Sequence, residues 1–210
     1  MKAILCETLG PPENLVLKEV KNPVAAENEA VVQVYAASLN FPDGLQIQGK
    51  YQFQPPLPFI PGSEIGGIIK SVGPGLKGFA VGDRVMAIPG LGGLAEQAIV
   101  KVEGLRKIPN NMDFKTAAGF AMVYTTSYYA LKQRAQLQPG ETLLVLGASG
   151  GVGVAAVELG KIMGARVIAA SSSNEKLEFI KRLNPDETIN YSDGELKEKV
   201  KSLTMAEAQM

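Results

Sequence analysis

The chain has 210 residues, of which 46% are hydrophobic and 20% are charged, proportions that are ordinary for a globular protein. Its 21 Lys and Arg residues balance its 21 Asp and Glu residues, so no overall electrostatic field would attract nucleic acid or anionic lipid. The sequence has no histidine and a single cysteine, Cys6, which excludes a disulfide framework and a cysteine-rich zinc site.

The N-terminal stretch predicts a β-strand rather than a targeting signal. Its apolar core, residues 3–6, ends at Glu7 and is much shorter than the roughly 7–15 residues of a secretory signal. No apolar run in the sequence reaches the length of a membrane span. We therefore expect a soluble, cytoplasmic protein that does not associate with membranes.

Residues 1–115 are predicted to form a β-rich domain. Short alternating runs that are rich in β-branched residues occur at 30–35 and 66–72. Turns that contain Gly and Pro bound such runs, at 73–75, 81–83 and 89–90. Successive short strands with turns of this kind are typical of a twisted barrel or sandwich.

The composition changes near Asp113, and residues 116–210 are predicted to form a second domain in which helix and strand alternate. Helical segments are expected over 114–132, where Ala, Met and Leu are frequent. Strands follow at 142–146, 166–170 and 187–190, and helices at 151–163, 174–183 (with Asn174 as N-cap) and 194–203. This alternation implies an α/β fold class with a partial Rossmann-type doubly wound parallel sheet.

The turn between the first strand and helix of the second domain has the pattern Gly-x-x-Gly-x-x-Gly at 147–153. Backbone without side chains can turn sharply there, approach a diphosphate and direct helix N-terminal amides at it. Glycines at such a turn can also serve packing alone. The strand before, the helix after and a second strand–helix unit favour a dinucleotide site made by Ala148, Ser149, Gly150, Gly151, Val152 and Gly153.

The end of the second predicted strand indicates which dinucleotide would bind. A carboxylate there would accept hydrogen bonds from a 2′-hydroxyl and repel a 2′-phosphate, but the sequence has Ser171 and Ser172 instead, with Lys176 a few residues later. This pattern favours NADPH over NADH. The alternative is that Ser173 or Asn174 caps the following helix and that Lys176 is a solvated surface residue.

Several further motifs follow one another in order between residue 1 and about residue 203. They are SLNFPD at 38–43, FIPGSEIGG at 59–67, FAVGDRV at 79–85, GLAE at 93–96, TTSYYAL at 125–131 and INY at 189–191. Together with the glycine turn, they resemble the medium-chain dehydrogenase/reductase superfamily, specifically its zinc-free quinone oxidoreductase (zeta-crystallin-like) branch. The resemblance implies an N-terminal GroES-like domain beside a Rossmann domain, with NADPH bound in the cleft between them.

The resemblance also assigns expected roles to individual residues. Asn40, Phe41 and Asp43 would line the cleft near the nicotinamide, and Tyr51 would contact the substrate. The remaining cofactor contacts would come from Thr126 and, at the 2′-phosphate end, from Lys176 and Tyr191. Structural alternatives stay open: Asn40 and Asp43 could order a turn, Tyr51 could anchor a loop, Thr126 could be an ordinary helical residue, and Glu64 and Asp83 are expected to serve packing.

The resemblance also bears on mechanism. Zinc-dependent relatives carry a metal-binding Cys and a Gly-His-Glu motif, whereas the corresponding positions here are Asn40 and Gly62-Ser63-Glu64. Catalysis without a metal would depend on alignment of a hydride donor and an acceptor and on exclusion of water. The acceptor would be a small-molecule quinone or an activated α,β-unsaturated carbonyl, and Asn40 or Tyr51 would orient its oxygen.

The chain is shorter than members of this branch usually are, and this leaves three interpretations open. A Rossmann sheet has the strand order 3-2-1-4-5-6, so strand 142–146, normally central, would form an exposed edge that a second copy in a homodimer or another partner would cover. The first interpretation is an NADPH-dependent quinone oxidoreductase. The others are a truncated nucleotide-binding or interaction protein without turnover and an enoyl- or acryloyl-type reductase.

Overall fold

Antiparallel strands dominate the first of two compact units, Met1–Met122, in the computed structural model, which describes residues 1–205. Its strands are β1 (Lys2–Leu5), β2 (Val16–Glu19), β3 (Glu29–Ala37), β4 (Ile65–Val72), β5 (Arg84–Ala87), β6 (Gln97–Lys101) and β7 (Leu105–Lys107). Five of them form a sheet of order β6-β3-β4-β5-β7, and β1 pairs with β2. The strands predicted at the N-terminus and at 30–35 and 66–72 are thus confirmed.

The core of the first unit lies against this five-stranded sheet. Alternate residues of β3, including Ala30 and Val32, are buried with Ile65 and Ile69 of β4, because successive side chains of a strand point to opposite faces. Each fully buried aliphatic side chain of this kind contributes roughly 1.5–3 kcal/mol. Two register shifts between β3 and β4 mark bulges, which increase the local twist of the sheet.

Two short helices complete the first unit, α1 (Phe41–Ile47) and α2 (Phe114–Ala118). Helix α1 begins after Asn40, whose backbone is extended, and has Pro42 in its first turn, where a missing N–H is tolerated. Helix α2 begins after Asp113, whose carboxylate accepts a hydrogen bond from the Thr116 amide at 2.8 Å. Both helix starts therefore follow from local capping chemistry.

The second unit begins at Val123, inside helix α3 (Ala121–Tyr128), which continues into a π-helical turn, Tyr129–Arg134. Then follow β8 (Thr142–Leu146), α4 (Gly151–Ile162), β9 (Arg166–Ser171), α5 (Asn174–Lys181), β10 (Glu187–Asn190) and α6 (Leu196–Met205). The three strands are parallel, in the order β10-β9-β8. The predicted 3-2-1 arrangement is confirmed, and within residues 1–205 β8 has a neighbouring strand on one side only.

Helices cover both faces of this parallel sheet. Leu143 and Val145 of β8 belong to a core shared with α4 and α5, whereas Leu144 packs with Ile168, Ile189 and the apolar side of α6. This alternation explains why the sequence of β8 is continuously apolar. The two ends of β8 are not buried, since Thr142 and Leu146 are exposed at the sheet edge.

One predicted helix cap is wrong. Ser173, not Asn174, is the N-cap of α5: its backbone is extended and its hydroxyl accepts a hydrogen bond from the Lys176 amide at 3.3 Å. Asn174 is already helical, and its side-chain oxygen accepts a hydrogen bond from Asn190 at 2.7 Å. Serine and asparagine are about equally good N-caps, so their adjacency left the sequence ambiguous.

Candidate functional site

The glycine turn joins the carboxyl end of β8 to α4. Gly147 has a left-handed backbone with φ of 60°, a conformation that favours glycine. Gly150 is the N-cap of α4, and its carbonyl accepts the first helical hydrogen bond, from the Val154 amide at 2.8 Å. The first amides of a helix have no partner inside it, and Gly151 and Val152 are exposed, so the turn presents donors suited to an anion.

The surroundings restrict Gly150 and Gly153, the second and third glycines of the pattern, to different degrees. A Cβ at Gly153 would lie 2.5 Å from the carbonyl oxygen of Gly147 and 2.7 Å from the Cα of Ala148, so close packing excludes any side chain there. A Cβ at Gly150 would meet only the Gly147 oxygen, at an ordinary 3.5 Å. The fold itself therefore tolerates a side chain at Gly150, and glycine there leaves space on the side from which an anion would approach.

Ser127 fixes this turn from helix α3, and the sequence did not single it out. Its buried hydroxyl donates to the carbonyl of Val152 at 2.8 Å. Tyr124, one helical turn earlier, donates to the Glu158 carboxylate of α4. Burial, and to a lesser extent this contact with Glu158, raises the pKa of Tyr124 to about 12. Thr126, the predicted cofactor contact, is exposed on the same helix. The signal for Ser127 was its place in the TTSYYAL motif.

The residues predicted for the 2′-phosphate end lie at the carboxyl ends of β9 and β10. Ser171 is buried, and its hydroxyl lies 3.2 Å from that of Ser149 in the glycine turn. Ser172 and Lys176 are exposed, and the Lys176 ammonium donates to the Ser172 hydroxyl at 3.1 Å. Tyr191 follows β10, and its amide donates to the Ser171 carbonyl at 3.1 Å. The carboxyl edge of a parallel sheet is where such folds bind ligands.

Asn40 and Asp43, in the first unit, form a connected polar group around the start of α1. The backbone amide of Asn40 donates to the Asp43 carboxylate at 2.8 Å. The Asn40 side-chain nitrogen donates to the Ser38 hydroxyl at 2.8 Å and to the Glu64 carboxylate at 3.3 Å. Because a carboxylate can only accept, this contact fixes which end of the Asn40 carboxamide faces Glu64. The neighbouring Phe41 is 81% exposed.

Glu64 organises this polar group from inside the protein. Its side chain is completely buried, and it also accepts hydrogen bonds from the Ser38 hydroxyl at 2.8 Å and the Met122 amide at 2.9 Å. Asp83, the other acidic residue expected to serve packing, accepts from the Ala80 amide and pairs with Lys107, each at 2.8 Å. The Lys107 ammonium, with the Ala80 amide, holds the pKa of Asp83 below its usual value.

A cavity of about 420 Å³ lies beside the first turns of α1 and contains the predicted substrate contact, Tyr51. Two other polar residues line it, Gln46 and Ser63, which are 5% and 6% exposed. The rest of its wall is formed largely by Pro42, Phe53, Pro89, Leu91 and Met122. Among the described residues, none that lines this cavity carries a charge.

The donor groups of this region do not fit a zinc ion. The sequence lacks histidine, and its single cysteine, Cys6, is buried in a separate apolar cluster with Ile47 and Phe59. Burial raises the pKa of the Cys6 thiol, which disfavours the thiolate that a metal requires. Within residues 1–205, no three His, Cys, Asp or Glu side chains are grouped so that they could hold a metal ion.

Comparison with known protein families agrees with this architecture. Residues 26–110 match the family model of the alcohol dehydrogenase GroES-like domain, and residues 151–210 match that of the zinc-binding dehydrogenases. The fold and the glycine turn thus define a dehydrogenase/reductase of the type in which a GroES-like domain accompanies a Rossmann-type sheet.

Individual relatives narrow the class. A quinone oxidoreductase-like protein 2 homolog from Nematostella vectensis is 41% identical over 209 residues, which cover 97% of this chain and 56% of the relative. Quinone oxidoreductases of Thermus thermophilus and Escherichia coli, both solved with NADPH, are 37% and 31% identical, with TM-scores of 0.86 and 0.92; the matches cover 97% of this chain and 64% and 63% of theirs. The chain belongs to the quinone oxidoreductase branch of the medium-chain dehydrogenase/reductase superfamily.

The chain is shorter than these relatives. The chain spans 56% of the length of the Nematostella protein and under two thirds of each of the two solved enzymes. None of the helices described over residues 1–205 combines the length and the apolar character needed to cross a membrane.

Proposed function

We propose that this chain binds NADPH and contributes to zinc-independent reduction of a quinone or an activated α,β-unsaturated carbonyl. The observation that carries this proposal is the glycine turn, where exposed amides at the start of α4 lie next to the serines and the lysine that follow β9. A diphosphate suits the amides, and a 2′-phosphate suits Ser172 and Lys176. The NADPH complexes of the two similar bacterial enzymes support the same choice of coenzyme.

The residues of the second unit would hold the coenzyme as follows. Gly151, Val152 and Gly153 would bind the diphosphate through backbone amides, whereas the Gly150 amide already donates to the Gly147 carbonyl at 2.9 Å and the Ala148 amide to the Ala170 carbonyl at 3.0 Å. Ser127 would keep that turn in place through its contact with the Val152 carbonyl. Ser172 and Lys176 would bind the 2′-phosphate, beside Tyr191. Ser149 and Ser171 face each other and would support the turn rather than reach the phosphate. Thr126 and Phe41 stay predicted contacts of the nicotinamide half.

The residues of the first unit would position the acceptor without a metal. Bound NADPH supplies the hydride. Glu64 and Ser38 hold the Asn40 carboxamide, and Asn40 and Asp43 together fix the start of α1 beside the cavity. Tyr51 offers a hydroxyl and an aromatic face on the cavity wall. The apolar wall would exclude water from the acceptor, which is what hydride transfer requires of the protein.

The first experiment titrates the chain with NADPH and with NADH and follows nicotinamide fluorescence. We expect tighter binding of NADPH and, on addition of 1,4-benzoquinone, oxidation of the bound coenzyme. Lys176→Ala should weaken NADPH binding about tenfold, the loss of one charge-assisted contact of about 1.4 kcal/mol, and leave NADH binding unchanged. Lys181→Ala is the matched control, because Lys181 is exposed on the same helix but pairs with Glu178.

Three other outcomes have distinct meanings. No binding of either coenzyme would refute the proposal. Binding without turnover would favour a nucleotide-binding protein without catalysis. Oxidation of NADPH by an α,β-unsaturated acyl thioester but not by a quinone would indicate an enoyl-type reductase.

A further inference from the structure

Two buried polar atoms on the cavity of the first unit have no partner. The side-chain oxygen of Gln46 and the hydroxyl of Ser63 are inaccessible to solvent and make no hydrogen bond within residues 1–205. Leaving a polar group buried and unpaired costs roughly 1–3 kcal/mol. Both residues line the same cavity, so a single ligand could satisfy both groups.

The Asp43 Oδ1 atom is also buried and unpaired, but Asp43 does not line this cavity, and the Tyr51 hydroxyl lies on its wall. The polar groups of Asn40 and Glu64 are already engaged. The Asn40 side-chain nitrogen has two acceptors, Ser38 and Glu64, and each oxygen of the Glu64 carboxylate accepts at least one hydrogen bond. To donate to a ligand oxygen, Asn40 would have to give up one of these contacts. The Ser63 hydroxyl would lose nothing by the same donation, and the Gln46 oxygen would lose nothing by accepting from a ligand hydroxyl.

The chemistry of the cavity restricts its ligand. No charged side chain lines it among the described residues, so an anionic group such as a carboxylate or a phosphate would be desolvated there without a counter-charge. A serine hydroxyl can donate or accept, whereas the unpaired side-chain oxygen of Gln46 can only accept. Ser63 can therefore pair with a carbonyl oxygen, and Gln46 with the hydroxyl that forms when this oxygen is reduced.

From these observations we infer that Ser63 and Gln46 select an uncharged, oxygen-bearing ring as the acceptor. Inside the apolar cavity, Ser63 donates to a carbonyl oxygen of the ring, and the Gln46 oxygen accepts from the hydroxyl that forms on reduction. This inference rests on the proposed function and deepens it: it favours a quinone over an acyl thioester whose carrier is anionic. It assigns the specificity of the site to side chains that have no role in coenzyme binding.

The binding test uses the whole 210-residue chain without coenzyme. Calorimetric titration with 2,5-dimethyl-1,4-benzoquinone and with its hydroquinone gives the two affinities. Ser63→Ala should weaken both by about 3- to 10-fold, which corresponds to one neutral hydrogen bond, and Gln46→Met should weaken only binding of the hydroquinone by a similar factor. Binding of 1,4-dimethylbenzene, which has no oxygen, should not change.

A stability measurement separates ligand recognition from a structural role. Because the two groups are unpaired, Ser63→Ala and Gln46→Met should leave the unfolding midpoint of the free chain unchanged or raise it by about 2–4 °C. Gln97→Met is the matched control, because Gln97 is also a buried glutamine of the first unit but lies outside this cavity. That variant should not affect quinone affinity.

The inference is overturned if Ser63→Ala binds both compounds and Gln46→Met binds the hydroquinone as the parent chain does, or if both variants lower the midpoint by several degrees without weakening binding. It is also overturned if the parent chain binds NADPH but not the quinone, an outcome that leaves the coenzyme proposal standing. Failure to bind NADPH while the Ser63 and Gln46 effects on these affinities appear would refute the proposed function alone.

Discussion

At the scale of single residues, the same substitution in the glycine turn should have a large effect on stability at Gly153 and a small effect at Gly150. Gly153→Ala should destabilise the chain by about 1–3 kcal/mol, because the new methyl group would overlap the Gly147 oxygen and the Ala148 Cα. Gly150→Ala should change stability by no more than about 1 kcal/mol, because φ of −78° and ψ of 162° suit alanine and no protein atom is crowded. Urea unfolding measures both effects.

The Gly150→Ala variant also tests the proposed anion site. We expect Gly150→Ala to weaken NADPH binding about tenfold, or roughly 1.4 kcal/mol, since its methyl group would occupy the space that the diphosphate needs. Nicotinamide fluorescence gives the dissociation constants. A Gly150→Ala chain that folds normally and binds NADPH with unchanged affinity would contradict a diphosphate at this turn.

The sequence predicted the position of this turn between β8 and α4 well, because the constraints on its conformation are local. Three glycines between an apolar strand and a helix leave few other conformations. It did not predict the group around Glu64, whose partners Ser38, Asn40 and Met122 are 24 to 58 positions away. Nor could it reveal that Gln46 and Ser63 share a cavity, because such contacts depend on tertiary packing.

At the scale of elements, Asp186 joins the end of α4 to the start of β9. Its carboxylate accepts from the Lys161 ammonium, at 2.7 Å for both oxygens, and from the Val167 amide at 2.6 Å. The Lys161 contact, and then the Val167 amide, hold the pKa of Asp186 below its usual value. The folded state therefore favours the ionised form, and this contribution to stability is complete above the unfolded pKa of about 3.9 and disappears as the pH falls through the folded value.

Asp186→Asn should accordingly lower the free energy of unfolding by about 1–2 kcal/mol at pH 7, a figure reduced for solvent screening because the side chain is 37% exposed. The difference from the parent chain should shrink below about pH 4. Urea unfolding at several pH values measures it. Glu178→Gln is the comparison, since Glu178 pairs with Lys181 at the surface and should have no measurable effect. A constant Asp186 difference down to about pH 2 would refute the assignment.

Elements as a whole were predicted better than their ends. Strands β8 and β10 were predicted with their observed bounds, and β9 to within a residue, because short runs between turn residues define strands sharply. The helices predicted at 174–183 and 194–203 are observed at Asn174–Lys181 and Leu196–Met205. Helix α5 begins where it was predicted and ends two residues earlier, and α6 begins and ends two residues later, because helix ends depend on capping and fraying more than on the apolar pattern.

At the scale of the whole molecule, the sheet of the second unit is covered on its faces but open at one edge. In the second unit, helices cover both faces of the sheet, yet β8 lies at its edge within the described residues. Leu146, the last residue of β8, is 57% exposed. Backbone groups along such an edge can pair with another strand, and the proposal that a second copy or another partner covers it follows from this geometry.

This edge gives the last prediction. The 210-residue chain should self-associate as its concentration rises, and Leu146→Lys should weaken the association roughly tenfold, because a charged side chain at an edge strand opposes pairing. Sedimentation velocity over a concentration series measures the effect. Ile162→Lys is the control, since Ile162 is 80% exposed at the end of α4 and not on the edge strand. A parent chain that stays monomeric and folded at every concentration would show that the edge is tolerated uncovered, because the helices on both faces already bury enough apolar surface to hold the three strands together.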